Sequence, residues 1–352
     1  MYNASTDRLA AAMGALHQLR SLVWLSHHIH PCPEVVDALE NGCPLLGAVS
    51  LPSKHSLSTT SCNTPMSNVH TIRLSYHVLT DIPLAYLPSL RHLDITLTQS
   101  CSGLDTLLRQ VPQLQSLSFC DRTYQPQDEL FRDLASAIAR LSCLTTLGLK
   151  GTSYNDWGSS ANIHLRFALL CEALRHCPQL RRFYCDFQIT AERLPAFLDV
   201  TATLKDLDVF HLELDEQTLD APLLRDLQRC LPAGLSVLSV STLGAFTARN
   251  AFRELHNHFR NLSFLNVHAD EYIERFGHED SDVLEDAMIE DAMIDGAKRL
   301  QLLGCNSRFY DVQYLLYGDA RVAALLPWTM ALRHMEDSGC EGWNWLIQQS
   351  ML

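Results

Sequence analysis

A six-residue pattern, apolar-x-x-apolar-x-apolar, recurs about eleven times between Leu19 and Cys305. The clear copies are LRHLDI (90–95), LQSLSF (114–119), LTTLGL (144–149), LKDLDV (204–209), LSVLSV (235–240) and LSFLNV (262–267). Looser copies are LRSLVW (19–24), LGAVSL (46–51), VHTIRL (69–74), LRRFYC (180–185) and LQLLGC (300–305). Positions four and six alternate with polar or small residues, which is the period of a strand that buries one face. We therefore predict a short strand at each copy.

The stretch before each copy changes to the spacing of an amphipathic helix. Examples are Leu104, Leu107, Leu108 and Val111; Leu130, Leu134, Ile138 and Leu141; Leu223, Leu227 and Leu231; and Phe252, Leu255, Phe259 and Leu262. Copy starts are 21 to 38 residues apart, and their average of about 28 falls within the range of leucine-rich repeats. Such a unit cannot bury its apolar edge alone, so the copies must stack. The predicted fold class is α/β, a leucine-rich-repeat solenoid (horseshoe) with about eleven parallel strands on the concave face and helices on the convex face.

Three segments depart from the repeat. Residues 52–67 are rich in Ser and Thr and predict a surface loop between two strands. Residues 279–298 carry a run of acidic side chains and predict an acidic convex helix, or a docking segment for a basic partner. The pattern stops after Cys305, so we predict a solenoid over residues 1–305 and a C-terminal cap over 306–352.

Three short segments between a predicted helix and the next predicted strand resemble those of a known family. They are Cys43-Pro44-Leu45, Val111-Pro112-Gln113-Leu114 and Cys177-Pro178-Gln179-Leu180. Here the chain resembles the leucine-rich-repeat region of F-box proteins, particularly fungal ones. In that family the step ends the convex helix, because proline lacks the amide proton that a continuing helix needs.

The resemblance implies a substrate-recognition part of an F-box-like ubiquitin-ligase receptor. In that family a separate helical module before the repeats docks the Skp-type adaptor of a cullin ubiquitin ligase. Only 18 residues precede Leu19, so no such module fits. The chain is then a fragment or a shortened gene product, or a repeat protein that does not dock the ligase directly. The adaptor and the cullin are expected partners only if an F-box is missing from this sequence.

Charge and cysteine content narrow the class of protein. Lys and Arg number 27 against 40 Asp and Glu, which gives a formal net charge of −13. This charge argues against nucleic acid and anionic membranes as binding partners, and it favours a basic partner or none in particular. The first residues show no basic stretch followed by an uninterrupted apolar core, and no run reaches about 18 apolar residues. Its twelve cysteines contain no C-x-x-C pair, which favours reduced core thiols. We expect a cytoplasmic or nuclear protein.

Two histidine clusters have the residue type of a metal site. In His27-His28-Ile29-His30, alternate residues of a strand would share a face, but apart from Glu34 no carboxylate or thiol at ligand spacing completes the set. His256 and His258 lie in a helical pattern, two residues apart, and should point to different sides. Phosphate loops, nucleophile elbows and H-E-x-x-H are absent from the sequence. We expect no metal, no cofactor, no catalytic residue and no enzyme; an enzyme that uses residues 27–30 is the alternative.

Partner binding is predicted on what we call the inner face, the side of the strands formed by positions three and five of each copy and by the one or two residues after position six. The predicted partner-binding residues are Arg73, Tyr76, His92, Asp94, Lys150, Arg182, Tyr184, Asp186, Asp206, Asp208, Phe210 and His268. The strands at 180–187 and 204–211 concentrate charges and aromatic rings, the composition of protein-binding hot spots. The sequence predicts a non-catalytic module with a protein ligand on the inner face; a stand-alone scaffold, or an inhibitor resembling ribonuclease inhibitor, is the alternative.

Overall fold

The computed structural model describes residues 2–24, 33–51, 67–76, 84, 87–97, 103–121, 128–151, 163–215, 217–242, 251–269, 299–305, 308–317 and 320–327. The strands are β1 Ser21–Val23, β2 Ala48–Leu51, β3 Thr71–Tyr76, β4 His92–Leu97, β5 Ser116–Asp121, β6 Thr146–Gly151, β7 Arg182–Ile189, β8 Val209–Leu214, β9 Val237–Thr242, β10 Phe264–Ala269, β11 Leu302–Cys305, β12 Arg308–Tyr317 and β13 Ala320–Pro327. The helices are α1 Tyr2–Gly14, α2 Pro33–Gly42, α3 Leu104–Leu108, α4 Asp128–Arg140, α5 Ile163–Arg175, α6 Leu194–Thr201, α7 Ala221–Cys230 and α8 Ala251–His258.

The chain divides into two compact units, Met1–Cys177 and Pro178–Leu352. The first unit holds β1 to β6 in sequence order, with parallel pairing between neighbours. The second holds β7 to β11, also parallel, followed by the antiparallel β12 and β13. The predicted α/β leucine-rich-repeat solenoid is confirmed, with one strand for each of the eleven copies.

Alternation within a strand separates the core from the inner face. In β4, Leu93, Ile95 and Leu97 are buried, whereas His92 and Asp94 occupy the intervening positions and keep solvent contact. The helical spacing before the next copy becomes α3, which buries Leu104, Leu107 and Leu108. The core therefore lies between the helices and the face of the sheet that carries positions four and six of each copy.

A backbone contact recurs from copy to copy and fixes the register. The carbonyl oxygen of Arg20, at position two of the first copy, accepts hydrogen bonds from Gly47 N at 2.9 Å and Ala48 N at 3.2 Å, which are positions two and three of the next copy. The carbonyls of His70 and Arg91 accept the same pair of bonds from the copies that follow them. Because two donors converge on one oxygen, each position-two residue is held at the amino-terminal end of its strand.

The copy predicted at 204–209 is out of phase by three residues. Val209, not Asp206, pairs with Arg182 and Val237 and begins β8. The carbonyl of Asp208 accepts hydrogen bonds from Ser236 N at 2.9 Å and Val237 N at 3.1 Å, as position two does elsewhere. The copy is therefore LDVFHL (207–212). Both candidate copies, 204–209 and 207–212, fit the sequence LKDLDVFHL. Leu204 is buried, but it lies in the turn after α6 and not in the strand.

The parallel repeat ends at β11. There β12 pairs in the antiparallel sense, with Leu302 opposite Asp311 and Gly304 opposite Phe309, and β13 continues the sheet. The domain boundary predicted at residue 305 stays a prediction. Residues 52–66, 279–298 and 328–352 lie outside the described residues, as do His27, His28 and His30. Among the helices that are described, none combines the length and apolar composition needed to cross a bilayer.

Candidate functional site

The inner face differs in chemistry between the two units. At positions three and five, the first unit has Ser21, Val23, Ala48, Ser50, Thr71, Arg73, His92, Asp94, Ser116, Ser118, Thr146 and Gly148. The second unit has Arg182, Tyr184, Val209, His211, Val237, Ser239, Phe264, Asn266, Leu302 and Gly304. The first set is mainly polar and reaches solvent over β1 to β4, whereas most of the second set is buried.

An ion pair lies on the exposed part of the first unit. Nε of Arg73 donates to Oδ2 of Asp94 at 2.9 Å, and the two residues are direct register partners on β3 and β4. The side chains are 45% and 21% exposed. An exposed pair of this kind adds only about 0–1 kcal/mol to folding. Its main effect is to hold a guanidinium and a carboxylate in a defined orientation.

His70, just before β3, is held by contacts with three neighbouring residues. Its Nδ1 lies 3.0 Å from Oγ1 of Thr71, and its ring meets His92 edge to face with centroids 6.3 Å apart. The ring also lies over Gly47, where an added Cβ would come within 2.5 Å of Nε2. Glycine at 47 therefore admits the imidazole, and His70 is fixed although it is exposed. We call His70, Thr71, Arg73, Arg91, His92 and Asp94 the β3–β4 patch.

An apolar cluster lies on the inner face of the second unit at position three. Val209, Val237, Phe264 and Leu302, which occupy position three of successive copies, are almost completely buried and form one cluster with Tyr184. Phe309 of β12 packs against this cluster, with its ring 6.2 Å from that of Phe264. Positions three and four are both apolar in each of β8 to β11, as is typical of strands that are buried on both faces.

A row of polar side chains, buried at His211 and Ser239 and half-buried at Asn266, crosses the same strands at position five. The ring of Tyr184 stacks on His211, Nδ1 of His211 lies 2.9 Å from Oγ of Ser239, and Nδ2 of Asn266 donates to that oxygen at 3.0 Å. Since the amide donates to Ser239, the serine hydroxyl can donate to His211, whose Nδ1 then carries no proton and accepts the bond. Burial, and secondarily the charge of His268, lowers the pKa of His211 to about 3. The histidine is a buried structural group and a poor base.

The structure brings three of the predicted binding residues together in solvent: Arg73, His92 and Asp94 all belong to the β3–β4 patch. Tyr76 is the last residue of β3 and pairs in register with Leu97. The others on the inner face are less accessible. Arg182, Asp186 and His268 are half-buried, Tyr184 is buried, and Lys150 is only 5% exposed.

The predicted cluster on strands 180–187 and 204–211 is not an exposed surface. Phe210 lies in the core, 0% exposed, with ring centroids 6.2 Å from Phe183 and 6.4 Å from Phe197. Asp206 lies in the turn before β8, and Asp208 occupies position two. The error comes from the phase of the copy, since a shift by three residues exchanges inner-face positions for core positions.

Two residues of the patch were missed by the sequence argument. His70 and Arg91 occupy position two, which was not counted as part of the inner face, yet both are exposed at the start of their strands. The available signal was that position two is polar or small in every copy. At His70 and Arg91 this position presents the side chain to solvent, on a backbone that the hydrogen bonds between copies fix.

Within the described residues, no group of three or more His, Cys, Asp or Glu side chains is arranged to hold a metal ion. His256 and His258 lie on α8, the first buried and the second exposed, as expected for residues two apart on a helix. Burial lowers the pKa of His256 to about 4.

No protein-family model and no curated protein matches the chain, so neither comparison supports the resemblance to F-box proteins. Among solved structures, human 5T4 (Wnt-activated inhibitory factor 1, trophoblast glycoprotein) is similar with a TM-score of 0.42 and 15% identity, over 73% of this chain and 88% of that one. TLR13 in its complex with ssRNA13 is similar with a TM-score of 0.20 and 13% identity, over 72% of this chain and 56% of that one. At these values neither protein's function is transferred to this chain.

Proposed function

We propose that this chain is a non-catalytic protein-binding module whose partner docks on the β3–β4 patch. The observation that carries the proposal is the contrast between the two units at equivalent positions. Arg73 and Asp94 are oriented and solvent-accessible, whereas Tyr184 and His211, at the same position of their copies, are stacked and buried. Exposed, oriented Arg and His on a rigid sheet supply directional bonds with little loss of side-chain freedom on binding.

The test is comparative capture by the full chain. Proteins recovered from cells with the wild-type chain are quantified against those recovered with a double variant, Arg73→Ala with His92→Ala. The control is Arg132→Ala with His258→Ala, the same residue types at exposed positions of α4 and α8. We expect at least one partner to be retained by the control and reduced about tenfold or more by the patch variant. Equal recovery with all three proteins would refute the proposal.

The finer role, substrate recognition in an F-box-like ubiquitin ligase, rests on the Cys-Pro steps. Cys43 is buried and its Sγ lies 3.2 Å from the carbonyl oxygen of Met13, and Cys177 is likewise buried. These contacts support the repeat and do not distinguish a ligase receptor from a scaffold or inhibitor. A Skp-type adaptor and a cullin in the captured complex would favour the ligase role, and a stoichiometric partner without ligase subunits would favour the alternative.

We also propose a reducing compartment, the cytosol or the nucleus. The eight cysteines of the described residues are free thiols, and seven of them are buried. Burial raises the pKa of the Cys177 thiol to about 11, so this side chain behaves as a small apolar core residue at neutral pH. The location of a tagged full-length chain in cells tests this proposal.

A further inference from the structure

Cationic and imidazole side chains gather on the strand side of the first repeats. Arg20, His70 and Arg91 are at position two of their copies, Arg73 is at position five and His92 at position three, and all five are exposed. We call these five residues the basic rim. The position-two carbonyls of Arg20, His70 and Arg91 accept backbone hydrogen bonds from the next copy, and these bonds hold the three residues at the amino-terminal ends of their strands.

Little negative charge accompanies the basic rim. Among positions two, three and five of β1 to β4, Asp94 is the one carboxylate in the described residues, and it is already bonded to Arg73. Arg20 and Arg91 form no ion pair within the described part of the chain. The acidic side chains between β1 and β2 are on α2, in the helix layer. The formal charge of −13 is therefore unevenly distributed, and this surface is locally basic although the chain as a whole is acidic.

The spacing of the rim suits an extended chain. Neighbouring strands lie about 4.8 Å apart, so Arg20 at β1 and Arg91 at β4 are separated by three strand spacings, about 14 Å. Alternate side chains of an extended peptide project to the same side about 6.8 Å apart. Two or three carboxylates of one short segment can therefore face the rim together.

We infer that the basic rim binds an acidic peptide segment of the partner protein. The inference rests on the proposed function, because the rim shares Arg73 and His92 with the β3–β4 patch. Guanidinium groups form charge-assisted hydrogen bonds with carboxylates, and Arg73 makes one such bond to Asp94 within the chain itself. Arg20 and Arg91 offer the same group without a carboxylate of the described residues in place.

Nucleic acid is the other polyanion that a basic surface could attract. Binding of a single strand relies on aromatic rings that stack with bases, and positions three and five of β1 to β6 hold no Phe, Tyr or Trp. The net negative charge of the chain also repels a long polyanion. A short acidic peptide avoids both difficulties.

The experiment measures fluorescence anisotropy with the full chain and three labelled probes. The probes are a ten-residue peptide of alternating Glu and Ser, its counterpart with Lys in place of Glu, and a ten-nucleotide single-stranded oligonucleotide. We expect the Glu peptide to bind, the Lys peptide not to bind, and the affinity for the Glu peptide to fall when salt is raised from about 50 to about 200 mM. Tighter binding of the oligonucleotide or of the Lys peptide would overturn the inference.

A charge-reversal pair locates the binding. Arg20→Glu with Arg91→Glu should weaken binding of the Glu peptide about tenfold or more. The control, Arg225→Glu with Arg229→Glu, makes the same change in net charge on exposed positions of α7. Unchanged thermal unfolding in both variants verifies the fold. Equal peptide binding by both variants would overturn the inference. If partner capture depends on Arg73 and His92 while the Glu peptide does not bind, this inference fails and the proposed function stands.

Discussion

The ring of Tyr184 lies parallel to that of His211, with centroids 4.3 Å apart and planes 11° apart. Both residues are at position five of their copies and are direct register partners on β7 and β8. In the first unit the same position carries Arg73 and Asp94, which form an ion pair in solvent. One backbone repeat thus supports a buried, packed inner face in one unit and an open, charged one in the other.

The burial of His211 predicts that stability depends on pH. The pKa of His211 is lowered to about 3 and that of His256 to about 4, whereas histidine in an unfolded chain titrates near about 6.5. Below about 6.5 the unfolded state binds protons that the folded state does not, so stability is greatest above that pH and falls as the solution is acidified. Each histidine contributes a slope of about 1.4 kcal/mol per pH unit between its two pKa values.

Urea unfolding of wild type and His211→Gln across pH 5 to 7.5 measures this slope. We expect the variant to be less stable at neutral pH, because the stack and the bond to Ser239 are lost, but also less sensitive to pH than wild type. His17→Gln, at an exposed position, serves as the control. An identical pH slope in wild type and His211→Gln would show that His211 is not held neutral by the fold.

The corrected phase of the copy at 207–212 predicts that one of two neighbouring substitutions strongly destabilises the fold and that the other has little effect. Phe210→Ala removes a ring packed between Phe183 and Phe197 and should lower the free energy of unfolding by about 3–5 kcal/mol. Asp206→Ala, in an exposed turn, should change it by no more than about 0.5 kcal/mol. Denaturant titration distinguishes the two phases, since a small effect of Phe210→Ala would place the ring outside the core.

Glycine 304 permits a close approach between three strands. A Cβ at this position would collide with Oδ1 of Asn266 and would lie 2.9 Å from Cε1 of Phe309. Gly304→Ala should therefore destabilise the protein by about 1–3 kcal/mol through overpacking. At Gly234 an added Cβ meets nothing within 4 Å, so Gly234→Ala should be neutral or stabilising by up to about 1 kcal/mol. Equal melting temperatures for the two variants would contradict this account.

The strands could be predicted from the sequence because the spacing of Leu-type residues is set locally, by alternation along the chain. The phase at 204 could not, because Leu204, Leu207, Val209, Phe210 and Leu212 satisfy two overlapping patterns. Only the contacts of Asp208 with the next copy decide between them. The hairpin of β12 and β13 was missed because the run ALLP in β13 lacks the polar alternation that marks a half-exposed strand.

The candidate site was harder to predict than the fold, because exposure of an inner-face residue depends on what packs against it. Tyr184 and Arg73 occupy equivalent positions, yet one is buried and the other exposed. A partial signal was present in the sequence. Position three is apolar in the copies that contain Val237, Phe264 and Leu302, and strands with apolar residues on both faces are typically buried on both.

The cysteines predict an order of chemical labelling. Cys143 is exposed, whereas Cys177 is completely buried and its pKa is raised to about 11 by burial. Alkylation requires an accessible thiolate. Brief treatment of the native protein with iodoacetamide should modify Cys143 well before Cys177, as measured by peptide mass spectrometry. In denaturant both should react alike, and equal rates in the native protein would contradict the burial of Cys177.

The closed inner face of the second unit predicts that a hydroxyl is tolerated at position three in one unit and not in the other. Val237 is 0% exposed and packs with Val209 and Phe264, so Val237→Thr keeps the shape but buries a hydroxyl among apolar groups. This should cost about 1–3 kcal/mol. Ala48 is half-buried at position three in the first unit, and Ala48→Thr should change stability by no more than about 0.5 kcal/mol. Chemical denaturation of both variants tests the difference, and a neutral Val237→Thr would mean that water reaches the inner face of β9.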